Sequence, residues 1–378
     1  MEPKKQEYKI QGNMGLFDDE QTLEKLNDMG NPLDRLSGVI DFEIFREILE
    51  KTLHKDKMTK SGAKPYDPEF IFSASLSKRP LAVSSCSRYL SCSGCIMYHL
   101  SEAQTEYQIR DRLSFRNFLG LAGGDRIPDQ NTVWLFREEL VRKNVFELLF
   151  QKFYAFLEAN NLIMKEGVII DGSFVEVPRQ RNSREENKKI KEDKGDELWN
   201  AEDGDSESEK RRKANKKRHK DTDARWTKKG GEKHFGYKSH TKADTKSKLI
   251  KKGVTTSASV HDSKSTRELV DESDKGQDFL GDSAYVGKGV KRLMRKFKLK
   301  DRVVKRNVKG KKISKRQDTI NRKNSKTRVR VEHIFGFCEQ SLSGMFSRAV
   351  GFAHNAASTH IHAWCTICAA TSRYCVSG

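Results

Sequence analysis

The amino-acid sequence predicts a mixed α/β protein, in which a sheet flanked by helices follows an N-terminal helical region. Three observations carry this. Apolar residues recur at helical spacing up to about residue 160, the period falls toward 2 from Gly167, and strand-like and helix-like segments then alternate.

In chain order, residues 1–35 are polar and read as a loosely ordered N-terminal segment, and residues 36–160 read as the helical region. Asp41 is placed to cap a helix on which Phe42, Phe45, Ile48, Leu49 and Leu53 repeat. Ser101-Glu102-Ala103-Gln104 fits a capping box and starts a second helix, through Tyr107, Ile109 and Leu113 toward Phe118 and Leu119. Gly120 to Asp125 break the pattern. Asp129 or Asn131 then caps a long helix carrying Val133, Phe136, Leu140, Phe146, Leu149, Phe150 and Phe153. Helix, Gly-containing turn, helix suits a DNA-reading module, and it suits any small helical bundle equally.

Residues 166–374 read as the sheet domain. Strands are predicted over 167–177, 234–243, 249–260 and 279–282, with a fifth at 302–305, a short helix at 265–272, and a final helical region opening near Glu332. Between the first two strands, residues 181–230 hold 17 Lys+Arg and 13 Asp+Glu, so 30 of 50 residues are charged. So little apolar surface predicts a mobile insertion, with Lys210 to Lys220 as a possible DNA contact.

The formal charge is +20, and residues 286–330 alone carry 20 Lys+Arg against 2 Asp+Glu. A basic block of this density draws phosphate and makes binding salt-sensitive, so DNA is the best candidate partner. No run of 18 apolar residues exists, which argues against a membrane helix, and Met1-Glu2-Pro3-Lys4-Lys5 lacks the apolar core of a signal peptide. The expectation is an intracellular, cytoplasmic protein with reduced cysteines. Cys92/Cys95 and Cys365/Cys368 are too far apart in sequence to read as one zinc ribbon.

Three carboxylates stand out within this frame. Asp171 follows Val168-Ile169-Ile170, Asp282 follows Phe279-Leu280-Gly281, and Glu332 sits at the edge of an apolar face made by Val331, Ile334, Phe335 and Cys338. A lone strand-end aspartate is usually a cap. Two of them plus a helical glutamate can hold two divalent cations for phosphoryl transfer, and hard oxygen ligands suit Mg²⁺ or Mn²⁺. Arg328, four residues before Glu332, shares its face: either a surface ion pair or, with Arg330, a phosphate contact. His261-Asp262 is a neighbour of that site at best.

The same residues resemble DDE transposases of bacterial insertion sequences, most closely the insertion-sequence-five group. The matching motifs include Leu100-Ser101-Glu102-Ala103-Gln104, Ile127-Pro128-Asp129-Gln130-Asn131-Thr132, Gly236-Tyr237-Lys238, Ala258-Ser259-Val260-His261-Asp262-Ser263, Asp282-Ser283-Ala284-Tyr285 and Arg330-Val331-Glu332-His333-Ile334-Phe335-Gly336. They run in order over most of residues 60–350. The resemblance implies an RNase H-like catalytic fold with Asp171, Asp282 and Glu332 as catalytic and metal-binding triad. It implies binding of terminal inverted repeats by the helical region, strand cleavage and strand transfer, and a homodimer pairing two DNA ends near the nucleoid. Candidate DNA contacts are Arg328, Arg330, Lys305, Arg306, Lys238, Gln130 and Asn131. Two stretches depart from the pattern: residues 73–97 and the Cys/His/Ser-rich residues 354–378 stand where the family would have apolar helices. Both are predicted to be out-of-frame translation in a decayed copy, which argues for one alternative, an inactive DNA-binding remnant; a second alternative is an RNase H-like nuclease without strand transfer.

Overall fold

The computed structural model describes residues 18–29, 40–53, 100–122, 124–307 and 312–374, with positions 38, 66, 68, 71 and 72. Its centre is a six-stranded sheet: β1 Gly167–Glu176, β2 Arg225–Lys229, β3 Glu232–Asp244, β4 Ile250–Ser257, β5 Asp278–Leu280 and β6 Lys300–Asp301. β3 lies antiparallel between β1 on one side and β2 and β4 on the other. β5 and β6 continue parallel beyond β1. Four antiparallel strands followed by two short parallel ones give the mixed, RNase H-like arrangement expected. The fifth strand falls at 300–301, slightly ahead of its expected place.

Alternation along β1 decides which face does what. Ile169 packs into a large core with helices from both ends of the chain, whereas Val168 and Ile170 pack on the other face against Leu269, Phe279, Tyr285 and Met294. Gly172 is required by close packing, because a Cβ there would meet His240 Nδ1 at 2.8 Å.

The helical region comprises α1 Asp18–Asp28, a 3-10 turn Phe42–Phe45, α2 Arg46–Leu53, α3 Glu102–Asp111, α4 Leu113–Phe118, α5 Gln130–Arg142 and α6 Phe146–Ala159. Ser101 and Gln104 form the expected reciprocal capping box, and Asp129, not Asn131, caps α5. Three expectations change. The helix opened by Ser101 breaks at Arg112, whose backbone is extended. Residues 18–28 are helical although their polar sequence read as loose. The long helix after Asp129 is two helices, split where Asn144 adopts a left-handed φ of 51°.

The charged insertion has regular secondary structure, where its composition argued against any. It folds as α7 Arg184–Lys191, α8 Glu207–His219 and strand β2. Its order comes from caps and ion pairs more than from apolar burial. Ser183 and Ser206 each form capping boxes, and Glu186 accepts hydrogen bonds from Trp199 Nε1 (2.9 Å) and Lys216 Nζ (3.4 Å). Asp221, buried, accepts from Tyr237 and from the backbone N–H of Ala224 and Gly351, tying the insertion to β3 and to the chain beyond residue 350. Composition alone misses this because it counts charges without their partners.

Toward the C-terminus, α9 Asp262–Leu269 and α10 Lys288–Lys296 cover one face of the sheet, and α11 Lys315–Leu342 and α12 Phe352–Tyr374 the other. The Cys/His/Ser-rich stretch therefore does form an apolar helix. Trp364, Cys365, Ile367 and Cys368 are buried, with the Trp364 ring 4.7 Å from both Phe45 and Phe153. Cys is among the most buried residue types and packs as a small hydrophobe, so a Cys-rich face is a usable core face. The expectation that no apolar helix stands here is corrected. Its other half, residues 73–97, lies outside the described residues.

Candidate active site

The strand register brings the two aspartates level. β1 and β5 pair in parallel with Ile169 opposite Leu280, and Asp171 and Asp282 each lie two residues further on. Adjacent strands run about 5 Å apart, which sets the scale of their separation. Asp282 caps the 3-10 turn Ser283–Tyr285 through Ala284 N (2.8 Å), holding the carboxylate at the strand end.

Glu332 arrives from α11. Val331, Ile334, Cys338 and Leu342 bury the helix against the sheet and leave Glu332 on the exposed edge. Arg328, one turn earlier, donates to Asp171 Oδ2 and to Glu332 Oε1, both at 2.6 Å. The guanidinium thus bridges carboxylates from a strand and a helix. Burial raises the Asp171 carboxyl above the usual carboxylate range. The Gly172 N–H and Arg328 pull it back down, while the nearby Asp282 charge pushes it further up. Three carboxylates and one cation leave this corner of the molecule negative.

Residues not singled out from sequence complete the setting. The Tyr285 hydroxyl is buried, has no hydrogen-bond partner among the described residues, and is driven to a higher pKa by burial and then by Asp171, Asp262 and Asp282. His240 stacks under Gly172, donates or accepts at Thr256 Oγ1 (2.8 Å), and is held at a pKa of about 4 by burial. The apolar runs flanking these positions gave no sign of them, because only the register places them here.

The candidate DNA contacts separate by environment. Gln130 and Asn131 are exposed at the head of α5, and Lys305 and Arg306 are exposed in the loop before α11. Arg330 donates to Thr245 O, against the sheet. Lys238 is buried, its ammonium bonded to Val260 O (2.8 Å) and Asp262 Oδ1 (2.9 Å), so it faces the interior and not solvent. Asp262 is its partner, beside Gly172.

Among the described residues, no three acidic, imidazole or thiolate side chains stand close enough together to hold a metal ion. The candidate donors are all carboxylates, the hard oxygen ligands that suit a divalent cation, and two of them share one guanidinium.

A mixed sheet of this order, with Asp171 and Asp282 each two residues beyond a paired position of its parallel strands, is consistent with an RNase H-like domain. Comparison with family models makes the assignment narrower. The transposase DDE domain matches residues 163–368, and a second model, transposase domain (DUF772), matches residues 21–88 and 95–139. The chain belongs to the DDE transposase family of bacterial insertion sequences. The match reaches into α12, in keeping with its place in the core. No solved structure matches the chain. No helix among the described residues is long and apolar enough to cross a membrane.

Proposed function

We propose that the protein binds the terminal inverted repeats of its insertion sequence and catalyses DNA strand cleavage and strand transfer at Asp171, Asp282 and Glu332. The observation that carries this is the convergence of Asp171 and Glu332 on one guanidinium, with Asp282 close enough to raise the Asp171 pKa. Asp171 lies within β1 and Asp282 just beyond β5, where an unpaired charge is costly, so the arrangement calls for cations. Asp171, Asp282 and Glu332 would hold Mg²⁺ or Mn²⁺. Bound there, the ions supply charge stabilisation for the phosphoryl oxygens and lower the pKa of an attacking hydroxyl.

The chain's own groups divide the remaining work. Arg328 holds Asp171 and Glu332 together and would be the cationic side chain nearest a phosphate bound at these acids. Lys305 and Arg306 extend the positive surface toward the backbone of the bound strand. Gln130 and Asn131 head the helix that would read the repeat, with α3 to α5 as a helix-turn-helix-like module and residues 166–374 as the catalytic domain. A homodimer pairs the two element ends, in the cytoplasm at the nucleoid, and the motif set favours the insertion-sequence-five group.

Purified protein with Mg²⁺ or Mn²⁺ and labelled duplex ending in the element's own inverted repeat tests this directly, with Asp282→Asn beside it. Nicking at the repeat boundary that the substitution abolishes is the expected result. Specific binding by a folded protein that never nicks would replace this reading with a DNA-binding remnant. Cleavage without joining of a supplied 3′-hydroxyl end would replace it with a nuclease.

A further inference from the structure

The insertion builds a second concavity that the carboxylates do not use. This cleft, about 640 Å³, is bounded by α7, the chain leading into β2, the residues following β4 and the start of α12. One side is aromatic, from Trp226, Phe235 and Phe352. Trp226 is 48% exposed and Phe352 44%, although both stand on regular elements and one lies in a sheet. The Trp226 ring rests 5.0 Å from Phe235, and the Arg179 guanidinium lies 5.6 Å from its centroid.

The other side is rich in amides: Gln180, Asn182 and Asn187. Gln180 Oε1 is buried and meets no donor among the described residues, which is costly unless something supplies one. Lys220 donates to Asn182 Oδ1 (2.9 Å) and so joins the cleft to α8. That helix buries no residue and carries Lys210, Arg211, Arg212, Lys216, Lys217 and Arg218.

We infer that the cleft receives an unpaired nucleobase of a bound DNA strand, stacked on Trp226, with its hydrogen-bonding edge toward Gln180, Asn182 and Asn187. The inference rests on reading the chain as a DNA transposase. An aromatic face accepts any base, amides offer both donors and acceptors, and the basic helix outside suits a backbone and not a free nucleotide. Inside the cleft, Arg225 is already paired with Asp193 at 2.6 Å, which leaves Lys191 as the other lining cation and little to hold a triphosphate. β1 runs five residues from Asp171 to its end at Glu176, roughly 17 Å at about 3.3 Å per residue, and the chain beyond it supplies Gln180 and Asn182 to the cleft, so one strand can reach both places.

Stacking is tolerant of sequence, so the test needs no knowledge of the repeat. Full-length protein, without metal, is mixed with a short oligothymidylate carrying one 5-iododeoxyuridine, irradiated, and the crosslinked residue mapped. The expected crosslink is at Trp226, with binding weakened about five- to a hundredfold by Trp226→Ala and largely kept by Trp226→Tyr. Crosslinks confined to other residues, with Trp226→Ala binding unchanged, would overturn the cleft and leave the carboxylate reading intact. Absence of binding by folded protein would overturn it as well, while nicking of duplex repeat ends still judges the catalytic reading. Thymidine monophosphate competing as well as the strand would make this a nucleotide site and overturn the strand assignment.

Discussion

On β3 and β4, Lys242 and Lys251 meet Asp271 and Asp274, and four buried or half-buried charges cancel. Asp274 accepts from both ammonium groups at 2.8 Å, and Lys242 also reaches Asp271 at 2.8 Å. On β1 and α11, Asp171 and Glu332 share the single guanidinium of Arg328, and the Asp282 charge lies close enough to act on Asp171. Both clusters stand on the same sheet. The first is closed: the Lys251 and Asp274 side chains are 1% and 0% exposed, and every charge has its partner. The second is open toward solvent and short of positive charge. The first network completes its charge balance within the protein, whereas the second leaves carboxylate charge for a bound partner to balance, as the proposed function requires.

That contrast can be broken by exchanging the consequences of substitution. The largest effect belongs to Asp282→Asn, which is expected to cut nicking at least a thousandfold, about 4 kcal/mol or more in barrier. Its melting temperature should hold or rise, because one repelling charge is gone. Loss of both activity and stability would mark Asp282 as structural. Lys251→Met should do the reverse, costing about 3–5 kcal/mol in urea denaturation by leaving Asp274 undercompensated, with DNA binding by the folded fraction kept. A cost under about 1 kcal/mol would show that the network is not what holds β4.

The pH dependence sharpens the same difference. Burial depresses His240 to about 4 in the folded state, below its ordinary 6.5, so the unfolded chain binds more protons between these values. Stability from neutral His240 is fully present above about 6.5 and is lost as pH falls toward 4, by up to about 3 kcal/mol. Asp171 acts oppositely: its raised pKa favours the protonated form, so its contribution is lost as pH rises through the folded value. Denaturation curves of His240→Asn from pH 4 to 7 should be flatter than those of the native protein. An unchanged slope would mean that His240 is not protected from protons.

The smallest effect is expected for Arg328→Gln. Without divalent ions it should destabilise by about 1 kcal/mol, since the acids lose their shared cation, and Mn²⁺ should restore more stability to the variant than to the native chain. Equal Mn²⁺ responses in the two proteins would argue that the guanidinium and the ion do not compete for one place.

Much of the fold was legible in local pattern. The capping box at Ser101, the cap at Asp129 and the apolar runs before Asp171 and Asp282 are short-range signals that the structure keeps. The insertion and the C-terminal helix were misread for one reason. Composition records residue types without neighbours, so charges that become ion pairs read as disorder, and Cys and His residues that pack around Trp364 read as out of place. Lys238 shows the limit within the site, since a lysine on a strand gives no hint that Asp262 and Val260 O will enclose its ammonium.

By itself the sequence determined the element order, the basic character and the three acids at chemically expressive positions, because periodicity, capping and charge are local properties. Tertiary structure alone decided that Asp171 and Asp282 stand level on parallel strands, that Arg328 bridges Asp171 to Glu332, and that Trp226 faces a cleft. Those facts depend on register and on contacts between segments far apart in the chain, where the energy of a side chain is set by neighbours that no local pattern names.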